Sequence, residues 1–215
     1  MRLVLLGAPG SGKGTQAERL VNKLQIPHIS TGNILRQAIE DKNELGTIAN
    51  SYIQKGTLVP DSIIIQIVEE RLGKPDCIPG FVLDGFPRTV TQAESLELWL
   101  DSVMLSLDAV VYLWVSEETL ITRLVNRRIC SKCQSVYHLI NHPSEQDGVC
   151  DKCGGILVQR SDDQETTVKH RLKVYEEQTA PLRDFYQNLG LLVVIDGEKE
   201  PNTVFGTLVE AISKK

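Results

Sequence analysis

The chain has 215 residues, 41% of them hydrophobic and 24% charged, and a formal net charge of -5 at pH 7. This length allows one sizeable domain with insertions, and the composition is that of a globular protein. A net negative charge argues against a general nucleic-acid binder, and no apolar stretch approaches the length of a membrane span. The sequence enters an apolar strand at residue 2, so no signal peptide and a cytoplasmic location are expected. In a reducing compartment, five cysteines point to metal or free thiols rather than disulfides.

Leu3–Leu6 predicts the first strand, and Ala17, Leu20, Val21 and Leu24 predict a helix soon after. Between them lies Gly7-Ala8-Pro9-Gly10-Ser11-Gly12-Lys13-Gly14-Thr15. A glycine-rich loop between strand and helix is the setting of a phosphate loop. Its uncrowded backbone N–H groups can wrap a phosphate, the helix N-terminus adds partial positive charge, and Lys13 can reach the outer phosphates. Gly14 stands where the common pattern has Ser or Thr, and Thr15 comes one later. Mg²⁺ is therefore expected to be held loosely, through water and substrate phosphates.

Four more apolar segments predict strands: His28-Ile29, Phe81–Leu83, Val110–Val115 and Leu191–Ile195. Helical patterns separate them, so the expected fold is α/β, a five-stranded parallel sheet with helices on both faces. Ser30-Thr31-Gly32 opens one helix, and a second runs from Leu45 to Lys55 and stops at Gly56. After Thr57-Leu58-Val59-Pro60, Asp61 is read as the N-cap of a helix carrying Ile63, Ile64, Ile67, Val68 and Leu72.

The third strand runs into Asp84-Gly85-Phe86-Pro87-Arg88, and Gln92 opens the following helix. A carboxylate at the carboxyl end of a buried strand, beside the phosphate loop, suits Mg²⁺ or its waters, although alone it reads equally as a helix cap. Ser116 starts a helix on which Arg123 and Arg127 share one face. Asp162, with Glu165 three residues on, reads as the cap of the next helix, which Thr179 and Pro181 break after Tyr175. Trp99 and Trp114 read as core residues, and Cys77, His28 and His170 show no constellation.

Cys130 and Cys133 are followed, sixteen residues on, by Cys150 and Cys153. Two C-x-x-C pairs at this separation are the spacing of a four-cysteine zinc site, with bound iron or an oxidised pair as the rivals. Four thiolates close the coordination shell, so such a metal is structural. His138 and His142 lie inside the same insert and are not needed as ligands.

These motifs, in this order, resemble the nucleoside monophosphate kinases. Nearly the whole chain is similar to the adenylate kinases, in the long-lid bacterial form whose cysteines hold zinc. The residues that carry the resemblance are the phosphate loop, Thr31-Gly32 with Arg36, Asp84 to Arg88 with Gln92, Arg127-Arg128, Arg160, Asp162-Asp163 and Arg171.

The resemblance implies Mg²⁺-dependent phosphoryl transfer from ATP to AMP, giving two ADP, by a cytoplasmic monomer with no nucleic-acid or membrane partner. It implies a core of residues 1–29, 60–125 and 161–215, an AMP-binding insert at 30–59 and a zinc-holding lid at 126–160. On the ATP side it assigns Gly10, Ser11, Gly12, Lys13, Gly14, Thr15, Arg123, Arg127, Val136, Tyr137 and Lys199. On the AMP side it assigns Thr31, Arg36, Thr57, Leu58, Val59, Gly85, Phe86, Pro87, Arg88, Gln92, Arg160 and Arg171. Lys13, Asp84, Arg88, Arg127, Arg160 and Arg171 carry the transfer. One departure is Asn33, where the family has Asp. The competing expectations are a kinase for another nucleoside monophosphate, a zinc-ribbon nucleic-acid module, and a switch GTPase, which lacks its Asn-Lys-x-Asp signature here.

Overall fold

The computed structural model describes residues 1–214. Strand β1 (Arg2–Leu6) leads into α1 (Lys13–Leu24), and β2 (His28–Ser30) leads straight into α2 (Thr31–Glu40) and α3 (Glu44–Lys55). Helix α4 (Asp61–Leu72) precedes β3 (Phe81–Asp84), α5 (Val90–Ser102), β4 (Ala109–Trp114) and α6 (Glu117–Val125). A small antiparallel sheet follows, made of β5 (Arg127–Cys130), β6 (Val136–His138) and β7 (Leu157–Val158). Then come α7 (Glu165–Val174), α8 (Leu182–Asn188), β8 (Leu192–Asp196) and α9 (Pro201–Ile212).

The five expected strands form one parallel sheet in the order β2-β3-β1-β4-β8. Both faces of the three central strands are covered, which is why β1, β3 and β4 read as nearly unbroken apolar runs. Edge strand β2 instead carries His28 and Ser30, and edge strand β8 exposes Val194. Leu3 and Leu5 enter a core with Ala17, Leu20, Val204 and Leu208, on the α1 and α9 side. Val4 and Leu6 enter the opposite core with Val68, Leu96, Leu182 and Tyr186. Each fully buried aliphatic side chain contributes about 1.5–3 kcal/mol, so these two layers hold the sheet between its helices.

Several local expectations are corrected. Asp61 is the first residue of α4 and Pro60 its N-cap, and the Asp61 carboxylate is turned to α5 instead. Thr89 caps α5 by accepting from the Gln92 N–H, so that helix starts at Val90 rather than Gln92. Gln164, not Asp162, precedes α7, and Asp162 is drawn off by an ion pair with Arg171. The chain past Tyr175 continues as one wide π-type turn, Tyr175–Thr179, before α8. Trp114 is 45% exposed, because it is the last residue of β4 and reaches past the packed layers.

Helices α2 and α3 form a hairpin packed backbone to backbone at Gly46. A Cβ on Gly46 would lie 2.0 Å from the carbonyl oxygen of Ala38. Asn43 caps α3 by accepting from the Gly46 N–H at 2.8 Å. Gly46→Ala must force the two helices apart, an overpacking cost of about 1–3 kcal/mol. We expect faster amide exchange in residues 31–56 and a melting temperature lower by several degrees. Parent-like exchange in that hairpin would contradict the close packing.

Candidate active site

Strand β1 lies between β3 and β4, with Leu5 opposite Asp84 and Leu6 opposite Tyr112. The loop that leaves β1 therefore emerges at the centre of the sheet's carboxyl edge, the usual ligand position in such folds. Gly12 is the N-cap of α1 at φ 95°, a left-handed conformation that glycine adopts without cost, and no side chain caps the helix. The first N–H groups of α1 are thus left to an anion.

Lys13 Nζ donates to the carbonyls of Gly7 (2.7 Å) and Ala8 (2.9 Å), lying across its own loop. Burial lowers its pKa to about 8, Asp84 opposes that fall, and Arg88, Arg171 and Arg127 add to it. A Cβ on Gly14 would lie 3.7 Å from Asp84 Oδ2, so Asp84 stands beside the start of α1 as expected, while Thr15 is exposed. His28 Nε2 lies 3.4 Å from Asp84 Oδ2. Burial would raise the Asp84 pKa, but His28 and Lys13 outweigh it and hold the carboxyl below its usual range. Sequence inspection gave His28 no partner. The pairing of β2 with β3, Ser30 opposite Asp84, creates it.

The expected arginines converge on the same space, held by two acids. Arg127 makes a two-pronged contact with Asp163, Nε to Oδ2 at 2.8 Å and Nη2 to Oδ1 at 2.6 Å. Arg171 Nη1 binds Asp162 Oδ2 at 2.9 Å and Asp163 Oδ1 at 3.2 Å. Asp163 is fully buried. Such fork geometry fixes the guanidinium planes. Burial, then Arg127 and Arg36, pushes Arg160 down to about 9, and its buried Nε has no hydrogen-bond partner. Burial, then Arg171, pushes Arg88 down to about 10. Arg36 is lowered too, by burial first, with Arg127 and Arg171 contributing. Asn33 Oδ1 accepts from Arg36 Nη2 at 2.6 Å, so a neutral residue still holds this arginine.

A small cavity opens beside Arg88, lined by Thr31, Leu58, Val59, Gly85 and Gln92 together with Leu35 and Ile64. Thr31 Oγ1 and Arg88 Nε both donate to the Gly85 carbonyl, at 2.7 and 2.8 Å. Phe86 is buried in the core, the Phe86–Pro87 bond is cis, and Thr57 Oγ1 is turned to the Tyr52 carbonyl at 3.3 Å.

At the other side of the phosphate loop, Arg123 Nη1 donates to the Gly197 carbonyl at 3.0 Å. Glu198 accepts from the Ser116 N–H and from Thr119 at the start of α6. The turn after β8 is thereby pinned to α6, with Lys199 exposed on it. Of the two insert residues assigned to ATP, Val136 is exposed. Tyr137 is buried, with its hydroxyl 3.4 Å from Cys150 Sγ and its ring stacked on His142. The Tyr137 side chain is thus occupied within the insert, and its backbone pairs with Arg128 of β5.

The four cysteines form one cluster, their sulfurs all within 4.8 Å of one another. Cys130 and Cys153 are 3.4 Å apart, and Cys133 and Cys150 are 3.6 Å apart. Disulfide sulfurs stand about 2 Å apart, whereas thiolates in a tetrahedron about 2.3 Å from zinc stand about 3.8 Å apart. The set fits a tetrahedral metal, and neither His138 nor His142 belongs to it. Cys77 lies apart, buried against Arg71 and Asp76.

The family model for adenylate kinase matches residues 5–191. The chain is 54% identical to the adenylate kinase of Bacillus licheniformis over 99% of its own length and 98% of that protein's. It is 50% identical to that of Carboxydothermus hydrogenoformans over the whole of both chains. It is also 50% identical to that of Archaeoglobus fulgidus over 100% and 99% of the two lengths. A phosphate loop at the sheet's carboxyl edge, arginines gathered beside it and end-to-end likeness to these proteins agree: the chain belongs to the adenylate kinase family.

Proposed function

We propose that this cluster holds the phosphates of ATP and AMP in line, and that the chain moves the γ-phosphoryl group of ATP to AMP, giving two ADP. One observation carries the assignment. Lys13, Arg36, Arg88 and Arg160 are each lowered by burial and then by neighbouring cations, Arg127 or Arg171 among them, against only three carboxylates, in a protein of net charge -5. A cluster so rich in positive charge is relieved by polyphosphate.

The loop from Gly10 to Thr15 wraps the ATP phosphates, and Lys13 leaves its own carbonyls to reach the outer ones. Arg123, Lys199 and the backbone at Val136 and Tyr137 flank the ATP base. Arg36 and Arg88 take the AMP phosphate. Thr31, Gln92, the Thr57–Val59 backbone and the Gly85–Pro87 turn surround its base. Arg127, Arg160 and Arg171 sit over the transferring group, where charge spreads over the equatorial oxygens. Asp162 and Asp163 hold two of them ready, so little reorganisation accompanies the reaction.

Asp84 suits Mg²⁺ held through water. The ion would neutralise phosphate charge and would arrive with ATP. Residues 30–59 serve as the AMP-binding insert and 126–160 as the lid, both around a core of 1–29, 60–125 and 161–215. Closure would exclude water, so that ATP is not hydrolysed. We read the cluster metal as zinc, with a structural role. The protein would act as a cytoplasmic monomer on free nucleotides, without a nucleic-acid or membrane partner.

Arg88→Ala tests the assignment. It should lower kcat/KM for AMP by about a hundredfold or more while ATP affinity stays close to the parent's. Lost ATP affinity with retained AMP affinity would reverse the two sites.

The state of Lys13 sets a pH dependence. Its pKa near 8 in the free protein means the cation is present below that pH and lost above it. kcat/KM for ATP reports the free enzyme, so it should fall as pH rises through about 8. kcat at saturation should hold to higher pH, because bound phosphates favour the cation. A flat kcat/KM up to about pH 9.5 would refute this.

Removing the metal should loosen the insert first. Its buried apolar residues are few: a cluster of Cys130, Tyr137 and Cys150 with Leu157 partly buried, and Ile129 beside it. Metal binding there is folding energy. Cys150→Ser should lose zinc, melt earlier and exchange faster in residues 126–160, yet keep substantial transfer at low temperature. Zinc loss that abolished activity at low temperature, with melting unchanged, would make the metal catalytic.

A further inference from the structure

We propose that Asp61 is a positioning residue for base selection. It fixes which way round the Gln92 amide faces, so that the pocket accepts adenine and rejects the reversed hydrogen-bonding edge of hypoxanthine or guanine. This rests on the reading that Gln92 faces the base of the monophosphate.

The geometry is a closed ring of hydrogen bonds. The Arg88 N–H donates to Gln92 Oε1 at 2.7 Å. Gln92 Nε2 donates to Asp61 Oδ1 at 2.7 Å. Thr89 Oγ1 donates to Asp61 Oδ2 at 2.8 Å and accepts from the Gln92 N–H at 3.2 Å. Two members, the Arg88 and Gln92 backbone N–H groups, can only donate. They set the direction of every other bond. The Arg88 N–H requires an oxygen at that end of the amide. The Gln92 N–H occupies Thr89 as an acceptor and sends the hydroxyl proton to Asp61. Asp61, an acceptor for both, then requires nitrogen at the other end of the amide.

Gln92 is 1% exposed and lines the cavity with Thr31 and Arg88. One amide hydrogen and one oxygen lone pair remain for a ligand. Adenine offers N1 as acceptor and its N6 amino group as donor, which match. Hypoxanthine and guanine offer an N1–H donor and an O6 acceptor, which match only a flipped amide. A flip would set nitrogen against the Arg88 N–H and oxygen against Asp61. Burying two such mismatches is what makes the discrimination strong. The carboxylate reaches this position because α4 starts at Asp61 and packs on α5.

The test measures kcat/KM for AMP and for inosine monophosphate, with ATP as donor, in the parent, Asp61→Ala, Asp61→Asn and Gln92→Ala. Asp61→Ala should lower the ratio of AMP to inosine monophosphate by about tenfold, with KM for ATP unchanged. Asp61→Asn should recover most of the ratio. Its oxygen can accept from Gln92 while its nitrogen donates to the second lone pair of Thr89, a recovery that a purely charge-based or helix-end role would not give. An equal loss for both acceptors, or a lower melting temperature with the ratio intact, would overturn the proposal. So would an Asp61→Asn variant as indiscriminate as Asp61→Ala. A ratio unchanged in Gln92→Ala would instead overturn the underlying placement of the base, a result distinct from failure at Asp61 alone.

Discussion

Like charges in one partly buried space repel, and the whole site depends on how that repulsion is contained. Asp162 and Asp163 bind Arg127 and Arg171, and Asp84 offsets Lys13. The three acids are too few to neutralise the cluster but enough to hold it assembled. Arg160 shows the remainder directly, with a buried Nε that finds no partner and a pKa pushed down to about 9. A protein stabilised only for itself would satisfy or expose that group. The unspent charge is free energy set aside for phosphate.

The sheet converts this containment into position. Parallel pairing brings the ends of β1, β2 and β3 level, so that Asp84 meets His28 across one strand and the start of α1 across another. The helical hairpin of residues 31–55 carries Arg36 to the same edge. Gly56, the residue that ends it, also reaches the opposite side of the site, since a Cβ there would lie 2.9 Å from Arg171 Cγ. Residues far apart in sequence thus share one field without lying on one element.

What was legible in the sequence follows the same division. The phosphate loop is contiguous because one stretch of backbone must wrap one group, so its residues stand together in the chain. The central strands were legible because burial on both faces makes them almost continuously apolar. The four cysteines were legible because two C-x-x-C pairs are a spacing that brings four sulfurs into one cluster. Asp61 and Asp162 were misread as helix caps, since a carboxylate at a helix start has a ready local role. In the fold their carboxylates go to Gln92, thirty-one residues on, and to Arg171, nine residues on. His28 gave no signal, because its partner lies on a neighbouring strand. Trp114 misled because apolarity alone does not say where a strand leaves the packed layers.

The small antiparallel sheet carries both a member of the cysteine cluster and an arginine of the site. Strand β5 begins with Arg127 and ends with Cys130. At about 3.3 Å per residue, the cysteine cluster stands about 10 Å along the strand from the arginine. Strand β7 pairs with β5 through Ile129 opposite Val158 and Cys130 opposite Leu157. Strand β7 ends at Val158, and Arg160 follows two residues on, where burial and then Arg127 lower its pKa. A metal that ties Cys130 to Cys153 holds the far end of this ribbon where apolar burial is scant. Register along the ribbon then decides which way Arg127 faces, since a slip of one residue turns a side chain to the other face. A metal held by the four cysteines would act on the site only through alignment, by fixing the far end of the strand that begins with Arg127.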